Sequence, residues 1–157
     1  TFGALLSQGG FQIIECSAIW DSYIISVVAQ KRPVADWSPF ETARQRMKQE
    51  IAAFFANSDR DQNAVWSAGH QSLATLSNLG IDSMVSCIID SAPAKQGKFA
   101  PASGLPIVSP QSLESGSLRR VLLAAAGFNA EIADFIRRNH GDSIEIGYLN
   151  KGRVEHD

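Results

Sequence analysis

Four short stretches hold the residues best placed to do chemistry. They are Ser67-Ala68-Gly69-His70-Gln71-Ser72, Asp90-Ser91, Lys95-Gln96-Gly97-Lys98 and Gly127-Phe128-Asn129. The first has the position of a dinucleotide fingerprint, a turn between a strand and a helix. That fingerprint uses glycines for the tight turn, for the approach of a pyrophosphate and for helix packing. Here Gly69 stands alone where the pattern has three glycines. Asp90 follows at the spacing of a ribose-binding acid. The alternative for Asp90 is to cap the turn after it. His70 could exchange a proton near neutral pH, although no carboxylate partner is evident and finishing the turn is the plainer role. Lys95 and Lys98 could meet phosphates or form a solvated loop. No serine has a GxSxG context, and Cys87 sits mid-strand as an inert core thiol. There is no CxxC, no HExxH and no Cys/His cluster, so no metal site is expected.

The elements that must position these residues can be read from the apolar periodicity. Residues 11–17 and 22–29 are rich in β-branched and aromatic side chains and predict an antiparallel strand pair. Phe2 to Ser7 reads as the end of a helix stopped at Gly9-Gly10. Ser38-Pro39-Phe40-Glu41 opens a long helix, with Ser38 as cap and Phe40, Ala43, Met47, Ile51, Phe54 and Phe55 on one face. From residue 63 strands and helices alternate. The strands expected are 64–68, 84–89, 106–108, 120–126 and 143–149. Helices are expected over 70–79 and 130–139, the first stopped by Gly80 and the second capped by Asn129. A short helix runs from 109 to 114. His156 is placed in a tail.

Alternation of this kind implies right-handed crossovers and a mostly parallel sheet with helices on both faces. The fold class expected is therefore α/β and Rossmann-like, preceded by an antiparallel strand pair and a long helix. In such a sheet ligands bind outside the carboxyl ends of the strands. The candidate substrate-binding set is Gly69, His70, Gln71, Ser72, Asp90, Lys95 and Asn129. No catalytic residue is assigned.

Composition narrows the class. The chain has 157 residues, 45% of them hydrophobic, which is enough to build a core. Its net charge of -2 gives no reason to expect a nucleic-acid or anionic-membrane partner. No apolar run reaches the roughly 18 residues of a membrane span. Cys16 and Cys87 both lie in apolar runs, which predicts reduced core residues in a cytoplasmic protein. Charge is dense over 31–62 and nearly absent over 63–94, where Asp82 and Asp90 are its only acids.

Taken in order, the segments carry a resemblance. Val65-Trp66-Ser67-Ala68-Gly69 leads to Ile88-Ile89-Asp90, then Pro93-Ala94-Lys95-Gln96-Gly97-Lys98 and Leu105-Pro106-Ile107-Val108-Ser109-Pro110. Val121-Leu122-Leu123-Ala124-Ala125, Asn129 and Glu131-Ile132 follow. This order resembles the C-terminal, Rossmann-like domain of the S-adenosylmethionine-dependent sugar C-methyltransferases. Residues 1–30 resemble the trailing helix and strand pair of a methyltransferase domain, and the missing Met at position 1 reads as a cut. The resemblance implies three regions: 1–30, a linker with a bridging helix over 31–62, and the Rossmann-like domain over 63–157. It implies an accessory domain that binds a small-molecule substrate, in that family a nucleotide-sugar. S-adenosylmethionine is expected for the full-length protein. No cofactor is expected in this chain, which lacks that family's glycine-rich loop and catalytic His/Glu segment. A homodimer is a further expectation. The alternative is a free-standing Rossmann-like module that binds a nucleotide or another protein.

Overall fold

A computed structural model describes residues 2–156, which form two compact units, 2–37 and 38–156.

In the first unit, helix α1 (Phe2–Gln8) leads into strands β1 (Phe11–Ile19) and β2 (Ile24–Lys31). The strands pair antiparallel, with a bulge between Ile13 and Glu15. The turn joining them is left-handed over three successive residues, Trp20, Asp21 and Ser22, with φ of 53°, 51° and 69°. The Arg32 backbone N–H reaches the Gly10 carbonyl at 2.8 Å, and its side chain donates to the Ser7 hydroxyl. No described residue of this unit is buried. Ile14, Tyr23 and Ile25 stand largely exposed. Cys16 is also exposed, so it is not the core residue expected; a two-stranded ribbon has no interior to put it in.

The second unit is a three-layer α/β sandwich. Its elements are α2 (Ser38–Phe55), β3 (Asn63–Trp66), α3 (His70–Leu79), β4 (Cys87–Ile89), β5 (Ile107–Val108), β6 (Arg120–Leu123), α4 (Asn129–His140), β7 (Glu145–Asn150) and β8 (Arg153–His156). The sheet order is β5-β4-β3-β6-β7-β8. All neighbours are parallel except β7 and β8. The chain thus builds outward from β3 to one edge, then returns to lay β6 on the other side of β3.

Side-chain alternation assigns the two faces. Val65, Ile88 and Leu122 point to the face covered by α2 and α3, where Ile51, Phe54, Phe55, Leu76 and Leu79 are buried. Ala64, Trp66, Ile89, Val121 and Leu123 point to the other, against Ala133 and Ile136 of α4. Both faces are apolar because both are covered.

Several expectations change here. The compact unit begins at residue 38 and not at 63, because α2 contributes Ile51, Phe54 and Phe55 to the same core. Only the second half of α2 is buried; Phe40 is 63% exposed and Ala43 is also exposed. The strand expected over 84–89 is shorter, since residues 82–84 form a 3₁₀ turn before β4. The strand expected over 120–126 ends at Leu123, and Ala126 adopts φ of 51° in a turn before α4. His156 lies in β8, a strand the sequence reading omits. Helix α3 matches its expected limits. Gly80 ends it in the left-handed conformation, φ 59°, with its N–H on the Leu76 carbonyl.

Candidate functional site

The reversal of strand order falls between β3 and β6, and a crevice opens at their carboxyl ends. It is a cavity of about 440 Å³ lined at its floor by Trp66, Ser67 and Ala125. That volume suits a small organic ligand. One wall is apolar: Phe128, Ile132 and Phe135 rise from α4 and the turn before it, and Pro110 stands opposite. Trp66 meets Phe135 edge to face, with ring centroids 5.8 Å apart. Phe128 is 66% exposed and offers a free ring face. The polar lining is Ser67, Asp90, Ser91, Lys95 and Glu131.

Asp90 follows β4 and is buried. Its Oδ2 accepts from the Ala68 N–H at 2.8 Å and from Lys95 Nζ at 2.9 Å. Its Oδ1 accepts from the Ala92 N–H at 2.8 Å, which is the turn-capping role. Burial works against its charged form, yet the Ala92 N–H, Lys95 and the Ala68 N–H together hold the carboxyl below its usual value. Lys95 Nζ also donates to the Ala68 carbonyl at 3.1 Å. Gln96 Nε2 donates to the Asp90 carbonyl at 2.9 Å. The Lys-Gln-Gly-Lys stretch therefore folds back on the β3 and β4 ends.

The other expected site residues separate into two groups. Gly69, His70, Gln71 and Ser72 begin α3 but do not line this cavity. His70 is exposed. Gln71 Nε2 lies 3.5 Å from the Leu149 carbonyl, at the limit of a hydrogen bond. Ser72 is buried, and its hydroxyl donates to the carbonyls of Ser67 and Gly69, tying the turn to the helix. Asn129 lines a second cavity with Asn150, Glu155 and His156. It does not cap α4 as expected. Its Oδ1 accepts from the Ala125 N–H at 2.8 Å, because the left-handed Ala126 folds the preceding turn back under it.

The residues that sequence reading missed come mostly from α4. Glu131, Ile132 and Phe135 line the cavity beside the stripe of Ala133 and Ile136 that meets the sheet, whereas Phe128 stands in a stretch already expected at the site. That second stripe was the available signal. Cys87 is buried in β4 and burial pushes its thiol up, away from reactivity.

Two observations bear on whether this turn suits a cofactor of the S-adenosylmethionine or dinucleotide kind. A ribose hydroxyl needs an accessible acceptor site on the acid after the second strand. Asp90 is 5% exposed and already holds three donors. At Gly69 an added Cβ would lie 3.1 Å from Ser67 Oγ, so the turn is close-packed by its own side chain.

A doubly wound sheet with an aromatic-walled crevice at its switch point defines a Rossmann-like unit, whose ligands in other proteins lie at that switch point. Its family is more particular. The chain matches the C-methyltransferase C-terminal domain family over residues 29–144, and it belongs to that family. The match takes in α2, in keeping with the contribution of that helix to the core. Among curated proteins, none matches the chain. No helix among the described residues is long and apolar enough to cross a membrane.

Proposed function

We propose that this chain is the substrate-holding part of an S-adenosylmethionine-dependent C-methyltransferase that acts on a nucleotide-linked sugar. The observation that carries this reading is the crevice at the switch point, aromatic on one side and hydrogen-bonding on the other, in a chain of the C-methyltransferase family. Phe128 and Phe135 can stack on a base or on the apolar face of a sugar ring. Glu131 and Ser91 can accept from its N–H or O–H groups. Methyl transfer to carbon needs a base and an aligned methyl donor. The donor's seat belongs outside these residues, given how Asp90 and Gly69 are engaged. The exposed apolar ribbon of residues 2–37 is read as the closing strand pair of the methyltransferase domain. The compartment consistent with this reading is the cytoplasm.

Calorimetric titration of the chain tests this. The ligands are a nucleoside diphosphate sugar, the nucleoside diphosphate alone, the free sugar and S-adenosylmethionine. The nucleotide-sugar should bind, and Phe128→Ala should weaken it about three- to tenfold, the worth of one aromatic contact. Because the Phe128 ring is exposed, stability should not change. Absence of nucleotide-sugar binding, or binding indifferent to Phe128→Ala, refutes the assignment of this crevice. Binding of S-adenosylmethionine to this chain refutes the assignment of the donor elsewhere. The specific alternative is a nucleotide-binding module, and a response to the nucleotide alone would favour it.

A further inference from the structure

The turn before α4 borders two cavities. Ala125 and Phe128 line the crevice, whereas Ala126, Gly127 and Asn129 line a second cavity of about 450 Å³. The two share no lining residue. The β7–β8 hairpin supplies the other wall of the second one. Tyr148 and Asn150 alternate onto the α4 face of β7, and Glu155 stands directly opposite Tyr148 on β8. The Tyr148 hydroxyl accepts from Arg137 Nη2 at 2.9 Å, which fixes its ring at the cavity. The His156 ring instead meets Phe54, on the α2 face. Three polar side chains then form a chain of hydrogen bonds with capacity left over. Asn129 is 5% exposed. Its Oδ1 is taken by the Ala125 N–H, and its Nδ2 lies 3.4 Å from Asn150 Oδ1, a long contact. Asn150 Nδ2 donates to Glu155 Oε2 at 3.0 Å. Each amide nitrogen carries two hydrogens, so each keeps one N–H over. Glu155 Oε1 holds no described donor. Buried polar groups are normally paired, so the spare N–H of Asn129 calls for an acceptor.

We propose that Asn129, Asn150 and Glu155 form a second binding site, for a vicinal diol on a saturated ring such as a sugar. A hydroxyl both accepts and donates. One hydroxyl of the pair takes an amide N–H, and its neighbour donates to the Glu155 carboxylate. Amide donors alternating with a carboxylate acceptor match that pattern. A phosphate would meet the same carboxylate as a like charge, so the site favours an uncharged group. The Tyr148 ring gives the apolar face of such a ring a surface to lie on. The site needs no ligand in the crevice, so it and the nucleotide-sugar reading can fail separately.

Amide NMR on the full 157-residue chain tests it. The probes are the methyl glycosides of glucose, galactose and mannose, which present different diol geometries, and cyclohexanol, a ring of similar size with one hydroxyl. At least one glycoside should shift the side-chain amides of Asn129 and Asn150 saturably, with the Gly127 backbone amide, and leave the Trp66 indole of the crevice still. Cyclohexanol should bind about tenfold more weakly, for want of the second hydroxyl. Glu155 is exposed, so Glu155→Gln should keep the fold, and it should weaken the glycoside about three- to tenfold, the worth of a charge-assisted hydrogen bond over a neutral one. Asn150→Ala should weaken it about tenfold. A network that only ties the hairpin to α4 would cost Asn150→Ala stability and show no glycoside response. That result overturns the proposal, as do cyclohexanol binding as tightly as the glycoside, a shift centred on Trp66, and glycoside binding indifferent to Glu155→Gln. Should Asn150→Ala not fold, the wild-type and Glu155→Gln titrations decide the matter.

Discussion

Gly147 offers the sharpest test of how α2 belongs to the second unit. It lies in β7 under the ring of Phe54. A Cβ added there would stand 3.0, 3.1 and 3.2 Å from three ring atoms of Phe54. Neither side can retreat freely. Gly147 is held between Leu122 and His156 in the sheet, and Phe54 packs on Phe55 with ring centroids 4.9 Å apart. Overpacking of this kind costs about 1–3 kcal/mol. Replacing a strand glycine by alanine returns roughly 0.5–1 kcal/mol. Gly147→Ala should therefore destabilise by about 0.5–2 kcal/mol, which at 1.36 kcal/mol per decade is roughly a two- to thirtyfold smaller folding constant. Urea unfolding followed by circular dichroism should show a lower midpoint with the slope unchanged. Phe54→Leu should then cost less in the Gly147→Ala background than in wild type, since it opens the space the methyl needs. That coupling should be about 0.5–2 kcal/mol. A neutral Gly147→Ala, with the same cost for Phe54→Leu in both backgrounds, would refute the packing and return α2 to the role of a bridging helix.

Other outcomes follow from the same coordinates. Gly80→Ala should cost about 1 kcal/mol in the same urea assay, because φ of 59° disfavours an L side chain while the space around it is open. Acid should weaken the second unit through Asp90. Its native carboxyl titrates below the unfolded value of 3.8, so the unfolded chain binds the extra proton. The contribution is full above that value and is lost as pH falls through the lower native one, and Asp90→Asn should flatten this part of the stability profile. Glu41, held down to about 2 by Arg44 and Gln45, should titrate in the same direction, seen by carboxyl NMR as a midpoint that rises in Arg44→Met.

Much of the fold was legible because local signals agreed. The β3–α3–β4 segment has a buried strand, a stripe of leucines at helical spacing and a glycine stop, and each names the same element. β8 was hidden because it is four residues long and mostly exposed. Its one cue is the turn at Lys151 and Gly152, both at positive φ, 47° and 77°. That is the geometry of a tight hairpin, but lysine at its first position is not the asparagine or aspartate that advertises it. The place of the crevice was legible from strand alternation alone. Its lining was legible only in part, through Ser67, Asp90, Ser91, Lys95 and Phe128. Whether Glu131 and Phe135 face a cavity depends on how α4 is rotated against the sheet, and that rotation is set by Ala133 and Ile136 meeting Trp66 and its neighbours, contacts made across the chain. Asp90 shows a different limit. Its spacing suits a ribose acid and a turn cap equally, and only the positions of the Ala92 N–H, the Ala68 N–H and Lys95 show what its oxygens hold.

The last strand has a consequence for how this chain comes into being. The Val154 N–H donates to the Glu50 carboxylate at 2.9 Å, across 104 positions of sequence. β7 is likewise bordered on one side by residues 153–156. During synthesis, at about 5–20 residues per second, α2 emerges many seconds before the strand that meets it. Its buried face, with Ile51, Phe54 and Phe55, finds Val65, Leu76 and Leu79 soon after it, but stays open on the side of Val154 until β8 follows. The unit thus completes this side of its core only once β8 has been made, however early α2 itself emerges.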